Sequence, residues 1–212
     1  GIKTGRVKER MDWTLRTISS SMELCIAWAV SVALASGVQG IAQYFSLMIL
    51  VPPAKIRKEP LPHPFQFIDP FALPLFLITG WGWAKQYTPS EDPLGDNRFY
   101  RFLYCLAAPL GNLALAGIIS TLYTTILPSS VFKLAITINC YVAAANFLIP
   151  FPPFSLGRGL SSLTSITVPK TAEWGVKIVL SIGAIYAFMT KPFFPYESLQ
   201  KIGNSILHLL IH

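Results

Sequence analysis

The stretch NFLIPFPPFSLGRGL, residues 146–160, decides how this chain is read. It closes a long apolar run with Asn146, Pro150, Pro152, Pro153 and Arg158. Each proline removes a backbone hydrogen bond and costs a helix interior roughly 3 kcal/mol. In lipid no water replaces that bond, so nearby side chains such as Asn146 must satisfy the freed backbone. A break of this kind in an apolar run calls for a reason.

Working outward, the whole chain is apolar. Of 212 residues, 52% are hydrophobic and 13% charged, with a mean hydropathy of +0.51, which points to the membrane class. A helix needs roughly 20 apolar residues to span a bilayer. Five such runs occur, at 22–51, 67–84, 102–127, 131–151 and 171–190. The second contains Asp69, Pro70 and Pro74 and reads as re-entrant or spanning. The expected fold is an all-α polytopic membrane helix bundle with about five transmembrane segments. A basic N-terminal segment (1–21), the membrane domain (22–190) and an amphipathic C-terminal tail (191–212) divide the chain. In the tail Leu199, Ile202, Ile206, Leu209 and Leu210 fall on one helical face, suited to the interface or to a partner.

The net charge of +7 could suggest nucleic acid, but Lys3, Arg6, Lys8, Arg10 and Arg16 all precede the first apolar run. They place the N-terminus in the cytoplasm beside anionic lipid, although Lys55, Arg57 and Lys58 follow that run and weaken the asymmetry. The run is too long for a signal h-region, and because the chain opens on Gly1 rather than Met, residues are expected upstream. Cys25, Cys105 and Cys140, one per apolar run, read as small buried hydrophobes. Residues 86–98, with Glu91, Asp92, Asp96 and two prolines, read as an exposed loop. Small residues four apart (Ala29, Ala33, Gly37; Ser36, Gly40) predict close helix packing inside the bundle, or against another protein.

Four segments in order, AAPLGN (107–112), GWGWAK (80–85), PHPFQFIDPFALPLF (62–76) and the proline break, together resemble the site-2 protease family of intramembrane zinc metalloproteases, in particular its small bacterial branch. The resemblance covers roughly residues 38–160. It implies a helical HExxH motif, whose two His bind zinc while the Glu acts as general base, and an aspartate zinc ligand after the prolines. Aligned through PPAKIRK, those positions hold Val38, Gln39 and Ala42, and the aspartate position holds Ser155. The family's histidine before IDP is Phe67. The resemblance therefore implies a degenerate site, with catalytic residues none, metal none and cofactors none.

Ligands from elsewhere are few. His208 and His212 share a helix face, but Leu209 stands where a Glu would be; His63 lies between two prolines without a companion. No His accompanies a Ser inside an apolar run, and Asp69 is the one aspartate within such a run, so neither a serine hydrolase nor an aspartyl dyad fits. Glu173 and Lys177 read as a snorkelling pair four apart. Partner-binding candidates are Asp69, Trp81, Trp83, Asn112, Asn146, Pro150, Pro152, Pro153 and Arg158. Asp69 is a rare intramembrane charge or the cap of a helix starting at Pro70. Trp81 and Trp83 read as belt anchors or as remnants of a substrate-facing hairpin, and Arg158 as an interfacial cation.

The function these residues imply is that of a catalytically inactive pseudoprotease: a scaffold or accessory subunit gripping partner transmembrane segments in a larger membrane complex. Its expected partners are the lipid bilayer and other integral membrane proteins, without nucleic acid, and its expected location is the bacterial inner membrane. Two alternatives stay open: an active zinc protease with non-standard or partner-supplied ligands, and a transporter or channel component using Gln39, Gln43, Asp69, Asn112, Asn139 and Asn146.

Overall fold

A computed structural model describes residues 22–52, 60–164, 166, 168–190, 204–206 and 208–210. The basic segment 1–21, residues Lys55, Arg57 and Lys58, and most of the tail lie outside them. The described elements are α1 (Met22–Leu50), a short 3-10 turn (Pro64–Phe67), α2 (Leu73–Thr79), α3 (Arg98–Thr125), α4 (Ser130–Leu148), α5 (Ser155–Thr164) and α6 (Lys170–Thr190). Among the described residues the fold is all-helical. Three helices, α1, α3 and α4, are long and apolar enough to cross a membrane.

Local chemistry sets the ends. Asn97 accepts the Tyr100 N–H at 3.0 Å to open α3, and Ser129 accepts the Phe132 N–H at 3.3 Å to open α4, each satisfying an orphan first-turn donor. Gly80 ends α2 at φ 77, a left-handed conformation glycine adopts without strain. At the proline break, Ile149 precedes Pro150 and is extended (φ −85, ψ 112), the region a following proline enforces. So α4 stops at Leu148, and α5 starts only after Pro153.

Packing follows from where backbones can meet. A side chain at Gly111 of α3 would lie 2.6 Å from the Ala42 Cβ and 3.0 Å from the Val38 carbonyl, so α1 and α3 touch there. Moving up α1 from Ala35, which meets Asn112, to Gln43, which shares Tyr87 with Tyr104, runs backward along α3. The two helices are therefore antiparallel. Residues 126–129 join α3 to α4 too tightly for anything but antiparallel neighbours. Every residue from 134 to 146 of α4 is buried, which makes it the central helix. In contrast, α1 and α6 leave Ile26, Val30, Ile49, Val179 and Ile182 exposed.

Several expectations are corrected. Gly37 and Gly40 are closely approached, but by Pro64 and the Phe67 ring, which a side chain there would meet at 2.9 and 2.4 Å, rather than by another helix. Ala29 and Cys25 are exposed. Residues 67–84 are not one helix: α2 has seven residues, about 10 Å of rise against a hydrocarbon core of about 30 Å. The stretch turns back on itself, with the Lys85 N–H on the Phe67 carbonyl at 2.8 Å. The described parts of the tail, 204–206 and 208–210, dock on this bundle. Tyr141 donates to Asn204 at 2.5 Å, Ser120 donates to the Leu210 carbonyl, and Ile206 and Leu210 pack on the α3–α4 cluster. Leu199 and Ile202 lie outside the described residues.

The glycine contacts give a paired test. Gly111→Leu overpacks the α1–α3 contact and should lower stability by about 1–3 kcal/mol. Gly117→Ala meets nothing within 4 Å and should be neutral or gain about 0.5–1 kcal/mol from helix propensity. Thermal unfolding in detergent separates the two; equal midpoints would mean the α1–α3 contact is loose.

Candidate functional site

At the centre of the bundle lies a layer of buried amides. The Asn112 amide nitrogen donates to the Ala35 carbonyl and to Asn139 Oδ1, both at 2.9 Å. Asn112 Oδ1 accepts from Gln39 Nε2 at 2.8 Å, and Asn139 Nδ2 donates to the Ala135 carbonyl at 2.9 Å. Gln39 Oε1 accepts the Ala84 N–H at 3.1 Å. One connected network thus ties α1, α3, α4 and the hairpin together. Such bonds matter where an unmade one leaves a polar group in an apolar interior.

The stretch 82–87 has neither helix nor strand partners, so its buried backbone must be satisfied by other elements. Gln43 Oε1 accepts the Tyr87 N–H at 2.9 Å, and the Tyr104 hydroxyl donates to the Tyr87 carbonyl. Asn146 Nδ2 donates to the Gly82 carbonyl at 2.9 Å, while Arg158 Nη1 reaches the Ala84 carbonyl at 3.4 Å.

Asn146 is also the hinge of the proline break. Its Oδ1 accepts both the backbone N–H and the Oγ–H of Ser155 at 3.1 Å, and its Nδ2 also reaches the Val142 carbonyl at 2.9 Å. Asn146 therefore receives the first N–H of α5 rather than repairing the backbone beside Pro150. Pro153 is buried, Pro152 half-buried and Pro150 exposed. The turn folds so closely over α5 that a side chain at Gly157 would meet the Phe151 backbone at 2.0 Å. Phe154 is fully buried against Trp81 and Trp83, with ring centroids 6.1 and 5.6 Å away.

Four charged residues, Asp69, Arg158, Glu173 and Lys177, form a cluster. Asp69, only 3% exposed, accepts the Phe71 N–H at 3.0 Å and the Trp83 indole N–H at 2.9 Å. It pairs with Lys177 Nζ at 2.9 Å. Lys177 lies 3.5 Å from Glu173, which pairs with Arg158 at 2.8 Å. Two carboxylates and two cations balance, the arrangement that makes buried charge tolerable. The cluster links the hairpin, α5 and α6.

Set against the expectations, Val38 and Ala42 face α3 at Gly111, while Gln39 faces Asn112 and Ala84. Ser155 is linked to the same stretch through Asn146, which bonds the Gly82 carbonyl. Trp81 and Trp83 are buried within the protein. Arg158 is ion-paired rather than a free interfacial cation. Asp69 does hold the turn after Pro70, but its second oxygen serves Trp83 and Lys177. His63 is exposed beside Phe65, and His212 lies outside the described residues. Among the described residues no three His, Cys, Asp or Glu gather closely enough to hold a metal ion. The reach of Lys177 to Asp69 was missed in the sequence; an unpaired aspartate in one apolar run and a lysine in another is the signal that could have joined them. A cavity of about 1100 Å³ opens beside the cluster, bordered by the 86–96 loop, Tyr104, Cys105, Arg158 and Ser162.

No family model, curated protein or solved structure matches the chain.

The cluster predicts strong coupling. Asp69→Asn or Lys177→Met alone strands a buried charge and should cost about 3–5 kcal/mol. The double variant should lose clearly less than the sum of the two. Additive losses in a thermal-unfolding cycle would show that the two groups do not interact.

Proposed function

We propose that the chain is a catalytically inactive site-2-protease-like membrane protein, a scaffold or accessory subunit that holds partner transmembrane segments in a larger membrane complex. One observation carries this reading. At the position where the resemblance calls for a general base, the Gln39 amide spends its oxygen on Ala84 and its nitrogen on Asn112. Beside it, the two positions of the metal-binding histidines, Val38 and Ala42, are pressed against Gly111. Space and hydrogen-bonding capacity there serve packing. A catalytic zinc site instead needs three ligands and an open fourth position.

In this reading the bundle has about five membrane segments. The hairpin 67–84 is the re-entrant one, since it closes on itself at Phe67 and Lys85 around a helix too short to span. The N-terminus is cytoplasmic and the membrane is the bacterial inner membrane. Lipid-facing residues such as Ile26, Val30, Trp174, Val179 and Ile182 offer the outer faces that a partner helix would cover. Transport is the weaker reading, because Gln39, Gln43, Asp69, Asn112, Asn139 and Asn146 all bond to the protein itself rather than line a polar path.

Purification from native membranes into nanodiscs, with mass spectrometry and zinc determination on one sample, tests the proposal. Reproducible companion membrane subunits with zinc below about one-tenth equivalent are expected, since a closed site binds no stoichiometric metal. A solitary protein carrying one zinc would overturn it.

A further inference from the structure

Among the described residues, the main chain of 82–87 is held mostly by side chains of other elements. Six of its groups are bonded by other elements: Gly82 O, Ala84 N, Ala84 O, Lys85 N, Tyr87 N and Tyr87 O. Five of the six partners are side chains, from Asn146, Gln39, Arg158, Gln43 and Tyr104; the sixth is the Phe67 carbonyl. Side chains that address the main chain rather than other side chains are the chemistry of a cleft that receives a polypeptide irrespective of its sequence. Here the polypeptide in the cleft is the chain's own.

We propose that residues 82–87 are an internal plug. They fill the cleft between α1, α4 and α5, and Arg158 is the latch that keeps them seated. Arg158 touches the plug at the Ala84 carbonyl and is anchored on α6 through Glu173 at 2.8 Å. Glu173 in turn meets Lys177, and Lys177 holds Asp69, whose other contacts are the Phe71 amide and the Trp83 indole of the hairpin itself. One end of the charge cluster therefore meets the plug at the Ala84 carbonyl and the other at the Trp83 side chain. While the plug is seated, a partner segment can use only the outer helical faces; release of Arg158 is what would expose the amides of Gln39, Gln43 and Asn146. The 1100 Å³ cavity brings solvent to the outer end of the plug, at Gln86 and Tyr87. The inference stands on these hydrogen bonds alone, whatever the partner is.

Amide hydrogen exchange on the full chain in nanodiscs reads the plug directly, because solvent already reaches its outer end. In the wild type, Ala84 and Tyr87 should exchange as slowly as the α4 core at 134–146, while residues 88–96 exchange fast. Exchange of 82–87 at the rate of that loop would overturn the plug. Arg158→Gln should speed exchange across 82–87 by about fivefold or more, the effect of losing a net hydrogen bond of about 1 kcal/mol, and leave α3 and α4 unchanged. Unchanged exchange in the plug would overturn the latch. If Arg158→Gln loosens the whole bundle, Gln43→Leu decides. Faster exchange confined to the amides around Tyr87 is the expected result, and no change there would overturn the plug.

Discussion

Everything in this fold leans on one buried amide. Asn112 is fully inaccessible and sits where α1, α3 and α4 meet. Its nitrogen serves Ala35 and Asn139, and its oxygen serves Gln39. In an apolar interior an unmade bond is penalised more than a made one is rewarded, so the layer acts as a registry device rather than as glue. A slip of α1 by half a turn would take Gln39 away from both Asn112 and the Ala84 amide. Gly111, next in the chain, lets α1 come close enough for the layer to close.

From that layer the polar contacts run outward. Gln39 and Gln43, four apart on one face of α1, capture the Ala84 and Tyr87 amides of a hairpin that has no sheet to pair with. Asn146, two residues before the end of α4, captures the same hairpin at Gly82 and opens α5 at Ser155. The proline break therefore has a structural use in this chain: it turns the backbone so that Ser155 and Arg158 come back over the hairpin. Buried Phe154 beneath Trp81 and Trp83 fills the turn.

Much of this was legible beforehand, and for physical reasons. Spans show as apolar length, so the three spanning candidates α1, α3 and α4 appear close to their runs. Caps such as Asn97 and Ser129 and the stop before Pro150 follow from local backbone chemistry. What stayed hidden depends on long-range pairing. The run 67–84 is apolar because it is buried, not because it spans, and hydropathy cannot tell those apart. Glu173 and Lys177 look self-sufficient at a four-residue spacing, which masks their reach to Arg158 and Asp69. Gln39 reads as a lost catalytic base, whereas its hydrogen bonds to Ala84 and Asn112 are visible only once the hairpin is folded onto α1.

The central claim is that Gln39 is a structural cross-link. Its most direct test is the unfolding midpoint of Gln39→Met in nanodiscs, a change that keeps side-chain length and removes both hydrogen bonds. The account predicts a loss of about 2–4 kcal/mol, since the Ala84 N–H and the Asn112 oxygen are both left unpaired in the core. A midpoint equal to that of the wild type would contradict it, and would mean that the amide layer does not hold α1 to the hairpin.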